Sequence, residues 1–188
     1  MNRFWWRSSN PILFFLIVLL GVAIQTSLFT FFPLYMIQPN IVLLAVLWCA
    51  LKRDLLEGGI LTLIFSHVAE IHSGSPRGVL LLSFMFVFLS VRALNRYLVF
   101  PDRQSIFSLV FFAEAGWRLS VLAILFRLGM GDQQVGHTLL FLLPGSIIQV
   151  VFSIWLFPLF EKLDIRTFKD PRVRQALDDE LHLEEEGI

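Results

Sequence analysis

The stretch Pro11–Phe32, PILFFLIVLLGVAIQTSLFTFF, decides how the rest of the chain is read. It carries no charged side chain, and about 20 apolar residues at 1.5 Å rise each cover the ~30 Å hydrocarbon core of a bilayer. Pro11 stands where a helix is expected to start, a position at which its missing N–H costs nothing. Arg3 and Arg7 precede the stretch, as in a secretory leader. The stretch is too long for a leader, however, and no small-x-small cleavage site follows, so it is expected to remain as a spanning helix.

Five further apolar segments follow, at about 34–51, 55–71, 79–98, 106–128 and 138–160. The second is interrupted by Gln38-Pro39, which predicts either a late start near Pro39 or an interfacial first turn. The third is short and holds Gly58-Gly59, Ser66 and His67, as a tilted, buried or re-entrant helix would. Small residues at Gly59 and Ser66 are expected to permit close helix approach. The sixth contains Pro144-Gly145 and Pro158, tolerated where neighbouring helices resatisfy the backbone. The expected fold is therefore an all-α membrane protein with six transmembrane helices in residues 1–160 and a tail in residues 161–188.

Composition agrees. Of 188 residues 56% are hydrophobic and 16% charged, and the mean hydropathy of +0.73 exceeds that of ordinary soluble domains. The formal charge is zero, so its distribution carries the information. With an inner N-terminus, the inner segments hold Arg3, Arg7, Lys52, Arg53, Arg92, Arg96, Arg103, Lys162, Arg166, Lys169, Arg172 and Arg174, twelve of the fifteen basic residues. Arg77 and Arg127 fall outside and Arg118 within the fifth segment. Positive residues are retained on the cytoplasmic side, which predicts both termini there. Trp5, Trp6 and Tyr97 fall near the predicted cytoplasmic boundaries, where amphipathic rings favour the headgroup region.

In the tail, Asp170-Pro171 reads as an N-cap with proline at the first helical position, and Val173, Leu177 and Leu181 repeat on one face. Glu184-Glu185-Glu186 is either a solvated end or a docking tail. The single cysteine, Cys49, excludes an intramolecular disulfide, and His67, His72, His137 and His182 include no pair at the spacing of a helical zinc site. No metal, cofactor or catalytic residue is expected. Paired aspartates, a serine with its base, or an H-E-x-x-H motif would mark an intramembrane protease, and the segments contain none of these.

Two groups of polar residues stand out. Glu114 and Arg118, four residues apart in the fifth segment, can pair on one helix face, either to lock packing or to meet a partner or substrate. Trp117, between them, points to a different face, towards lipid or another helix. The second group is the run from Gly59 to Gly78, in which Ser73-Gly74-Ser75-Pro76 forms a turn. His67, Glu70 and His72 either line an outward pocket or cap helix ends.

This run resembles the central signature of the rod shape-determining protein MreD family. There a glycine-bearing helix ends in an acidic residue, followed by a Ser/Gly turn, a small residue or proline, and a glycine that opens the next helix. Glu70, Ser73, Gly74, Pro76 and Gly78 match it in order, with Glu70 where the family usually has Asp and Ser66 where it usually has Gly. Pro39-Asn40 matches the family's start to the second span.

The resemblance implies a non-enzymatic inner-membrane scaffold subunit of the bacterial elongation (rod) complex, which helps to position peptidoglycan synthesis and maintain cell shape. It implies contact with an MreC-like membrane protein. Through the complex it implies contact with an MreB-like actin homologue, a RodA-type glycosyltransferase and a class B penicillin-binding protein, with the lipid bilayer around the subunit and no nucleic acid. It also implies a fold similar to the substrate-binding subunits of energy-coupling-factor transporters. The alternative is a substrate-binding subunit of a vitamin-type transporter, for which the convergent polar groups of a ligand pocket are few.

Overall fold

The computed structural model describes residues 2–29, 38–97 and 103–167. Among these residues six helices run in alternating directions: α1 (Asn2–Leu28), α2 (Ile41–Lys52), α3 (Leu55–Ser73), α4 (Val79–Tyr97), α5 (Arg103–Arg127) and α6 (Asp132–Arg166). Among the described residues there is no strand. The tail helix expected from Asp170 and the run at Glu184 lie outside the described residues.

Polarity is inverted relative to a water-soluble fold. Leu139, Leu140, Leu143, Ile147, Ile154 and Trp155 on α6, and Ile12, Leu16 and Leu20 on α1, are exposed. Meanwhile Asn10, Arg53, Glu114, Gln149 and Asp164 are buried. Such a surface suits hydrocarbon, and such an interior gives the polar groups partners. Buried hydroxyls turn back onto their own helices: Ser66 donates to Thr62 C=O at 2.6 Å, Ser83 to Val79 C=O at 2.8 Å and Ser146 to Leu142 C=O at 2.8 Å.

Among the described residues five helices, α1 and α3 to α6, are long and apolar enough to cross a membrane. The second segment differs from a simple span. Its helix α2 has 12 residues, ~18 Å long at 1.5 Å per residue, too short for the ~30 Å core. Pro39-Asn40 sets its start, and every residue from Ile41 to Ala50 is buried among the other helices. The core surrounds it: Phe14 of α1, Phe65 of α3, Phe84 and Phe88 of α4 and Phe160 of α6 are all buried. Phe14 meets Phe65 and Phe160 edge-on at centroid distances of 5.7 and 4.9 Å.

Three local expectations change. Pro11 lies inside α1, which extends back to Asn2. The ladder there loses the one bond that a residue-11 N–H would make to the carbonyl of Arg7, and the adjacent Asn10 ties that turn to α6. The close approach in α3 belongs to Gly58: a Cβ there would sit 3.0 Å from the Phe88 ring and 3.2 Å from the Cys49 carbonyl. At Gly59 the nearest atom would be 3.9 Å away. Finally, α6 begins at Asp132 and reaches Arg166, both beyond the apolar segment.

Candidate functional site

A helix that ends inside a bundle must have its terminal backbone groups satisfied by protein. For α2 this is done at both ends, and the two sets of capping groups organise the polar interior.

At the start of α2, the Asn40 side chain accepts from Leu43 N–H at 3.0 Å, and Gln25 of α1 accepts from Ile41 N–H at 3.2 Å. Gln149 of α6 brackets the Asn40 backbone, accepting from its N–H at 2.8 Å and donating to its C=O at 2.7 Å. At the other end, Arg92 of α4 donates to the Ala50 carbonyl at 3.2 Å and also to the Arg53 carbonyl.

Beside that end lies a buried network. Arg53 reaches Asp164 of α6 at 2.6 Å and Glu57 at 3.6 Å. The Asp164 carboxylate also accepts from Trp48 Nε1–H and Asn10 Nδ2–H, each at 3.1 Å. Asn10 donates to Thr167 Oγ1 as well. One carboxylate thus ties α1, α2 and α6 together.

The α3–α4 turn is built from the signature residues. Gly74 caps α3 at φ 64°, in the left-handed region, and Gly78 has φ 90°. The Ser73 hydroxyl donates to the Glu70 carbonyl at 3.3 Å and accepts from Ser75 N–H at 3.2 Å. Glu70 caps the following helix: its Oε1 accepts from Leu80 and Leu81 N–H at 3.1 and 3.2 Å, a carboxylate at the positive end of α4. The Pro76 carbonyl accepts from Val79 N–H at 3.3 Å. His72 Nδ1 donates to the Val68 carbonyl at 2.8 Å, while His67 is exposed on α3 away from these contacts.

Glu114 and Arg118 do pair, Arg118 Nε donating to Glu114 Oε1 at 2.7 Å with Glu114 buried. Trp117 stacks on Phe84 of α4 at 5.4 Å. The Arg118 guanidinium lies against α6 at Gly145, where an added Cβ would come within 2.5 Å of it.

Between the turn and this pair opens a cavity of about 470 Å³. Gln25, Asn40, His72 and Ser75 line it towards one end of the bundle, and Phe84, Trp117 and Arg118 line it deeper in. His72 is thus at its wall, whereas Glu70 and His67 are not. Among the described residues no group of three His, Cys, Asp or Glu could hold a metal ion.

Fold and site together define a multi-pass, all-helical membrane protein with a buried, doubly capped central helix. No family model, no curated protein and no solved structure matches the chain.

Sequence reasoning missed Asn10, Gln25, Gln149 and Asp164. Gln25 and Gln149 carried a usable signal, since an amide inside an apolar span needs a partner. Asn10 and Asp164 sit at segment edges, where a polar residue reads as solvated.

Proposed function

We propose that the chain is a non-enzymatic scaffold subunit of a bacterial rod complex, of the MreD type, in the inner membrane with both termini in the cytoplasm. Its partner is an MreC-like membrane protein. Through it the subunit serves an MreB-like actin homologue, a RodA-type glycosyltransferase and a class B penicillin-binding protein in placing peptidoglycan synthesis. The helix arrangement is taken to be of the kind found in energy-coupling-factor substrate-binding subunits.

The observation that carries this reading is the α3–α4 turn. The residues that resemble the MreD signature form one geometric unit, with two glycines at positive φ and Glu70 capping α4 across the turn. Their role is to hold a shape, as a docking surface requires. One buried charge supports the same view, because Arg53 is held by Asp164 of α6 and so serves inside the bundle. Lys52, Arg53, Arg92, Arg96, Lys162 and Arg166 all lie at the end of the bundle opposite Arg77 and Arg127, which supports the inner placement of that end.

Deletion in the native host tests the proposal. Rounded cells, restored to rods by the intact gene, are expected, together with loss of the MreC-like protein from the purified complex. The cavity favours a second reading, the substrate-binding subunit of a vitamin-type transporter, under which the deletion strain keeps its rod shape and requires a supplemented medium.

A further inference from the structure

The cavity beside the α3–α4 turn, at about 470 Å³, falls within the ~300–1,000 Å³ typical of small-molecule sites. Its wall includes an apolar part, formed by Val22, Val42, Ala69, Leu80, Phe84 and Val121. Among the described residues that line it there is no Asp or Glu.

Four of its polar residues, Gln25, Asn40, Trp117 and Arg118, have donors left to offer. Gln25 and Asn40 turn their side-chain oxygens to α2 backbone N–H groups, which leaves both amide nitrogens as donors. Arg118 binds Glu114 through Nε, and among the described residues its two terminal amino groups have no hydrogen-bond partner. Trp117 Nε1–H is buried and, among the described residues, has no hydrogen-bond partner. The positive end of α2 faces the same region through Asn40, and His72 at the wall donates Nδ1–H to the Val68 carbonyl.

We propose that this cavity binds an amphipathic anion, a molecule with one carboxylate or phosphate group and an apolar body. The acidic oxygens are received by the Arg118 amino groups and the Gln25 and Asn40 amides, and the body lies against Phe84, Leu80 and Val121. Because Glu114 and Arg118 are neutral as a pair, the anion is held by converging donors in a low-dielectric setting, where charge-assisted hydrogen bonds are strong. Water satisfies these donors when the site is empty, and the anion replaces it. Among the described residues a cation finds no carboxylate on the wall, and a bare acyl chain leaves every donor unmet. The occupant is either a free solute or the headgroup of an anionic lipid. The inference stands whether the chain is a scaffold or a transporter subunit.

The test uses the full chain purified in mild detergent and its thermal unfolding. Phenyl phosphate supplies the free anion and phosphatidylglycerol the lipid one, with benzyl alcohol and phosphatidylcholine as uncharged and zwitterionic controls. At least one anion is expected to raise the unfolding temperature in a saturable way that neither control reproduces. Stabilisation by phenyl phosphate assigns a free solute, and stabilisation by phosphatidylglycerol alone assigns a lipid. Arg118→Gln should weaken the effective probe about tenfold or more. Because that change also strands Glu114, Ala69→Phe, which fills the cavity from α3 and touches no charge, provides the second variant and should abolish the shift. No shift with either anion, an equal shift with the controls, or a shift that survives Ala69→Phe overturns the proposal. Cell shape is not read here, so failure leaves the scaffold proposal standing.

Discussion

Arg53 at the end of α2 and Asp164 on α6 meet at 2.6 Å with the arginine side chain fully buried, although 111 positions separate them in the chain. Removing one partner of a buried ion pair costs about 3–5 kcal/mol, because the other is left as an uncompensated charge. Arg53→Met or Asp164→Leu alone is therefore expected to lower the unfolding temperature in detergent sharply. The double variant should recover part of the loss, though not all, since Asn10 and Trp48 also donate to Asp164. Strictly additive losses would show that the two residues are not coupled.

Gln149 closes the opposite end of α2. Gln149→Leu leaves the Asn40 N–H without its partner, at about 1–3 kcal/mol, while the Asn40 C=O loses the amide donor but keeps Leu44 N–H at 3.2 Å. Gln149→Glu sets an unpaired buried carboxylate against the Asn40 carbonyl, so its stability should fall below that of the leucine variant. Hydrogen exchange at Asn40 and Ile41 should accelerate in the same order. Unchanged protection in Gln149→Leu would mean that the bracket contributes nothing to holding α2.

What the sequence discloses here follows the physics of the bilayer. Long apolar runs need no partner to be recognised, so α1 and α3 to α6 are legible from composition alone. So is the interruption at Gln38-Pro39, because proline acts on its own backbone. The shortness of α2 was only half legible: Pro39 marks its start, but that a 12-residue helix can rest inside the bundle depends on Gln25, Gln149 and Arg92, each from another helix. The same division runs through the site. Glu114 and Arg118 were readable as an i, i+4 pair, whereas Arg53–Asp164 is a long-range contact that no local spacing announces. Glu70 was singled out by its motif, but that it caps α4 rather than its own helix came only from the turn's geometry.

Glu114 and Arg118 should behave as a unit. Glu114→Ala or Arg118→Ala is expected to reduce folded yield more than replacing both with apolar residues, since the double change removes the charge that each single change strands. Gel-filtration yield after detergent extraction is the readout. If the double variant is the worst of the three, each residue has a further partner of its own.

Orientation can be measured directly. A periplasm-active phosphatase fused after Ile188 should be inactive, and one fused in the α3–α4 turn at Ser75 should be active, from the gathering of basic residues at the other end. The reverse pattern would invert the protein and place the cavity's turn end in the cytoplasm.

The last prediction separates shape from packing at the signature turn. At Gly74 and Gly78 an added Cβ would meet nothing within 4 Å among the described residues, yet both have positive φ, at 64° and 90°. At both positions the demand for glycine is therefore conformational and not one of close packing. A residue with a side chain in the left-handed region costs roughly 1–2 kcal/mol, more if β-branched, while asparagine enters that region most readily. Gly74→Val and Gly78→Val should thus distort the turn and pull Leu80 and Leu81 away from Glu70. In the native host the scaffold proposal expects rounded cells and loss of co-purification with the MreC-like partner. Gly74→Asn should keep both, because it tolerates the backbone without filling space that matters. Glu70→Gln, which still offers an oxygen to the two N–H groups, should be milder than Glu70→Ala, which offers none. If valine and asparagine at Gly74 were equally damaging, the side chain itself would be at fault and the turn would be a contact surface. If all these variants kept rod shape but created a nutrient requirement, the work of this turn would be to frame the cavity, and the transporter reading would take the scaffold's place.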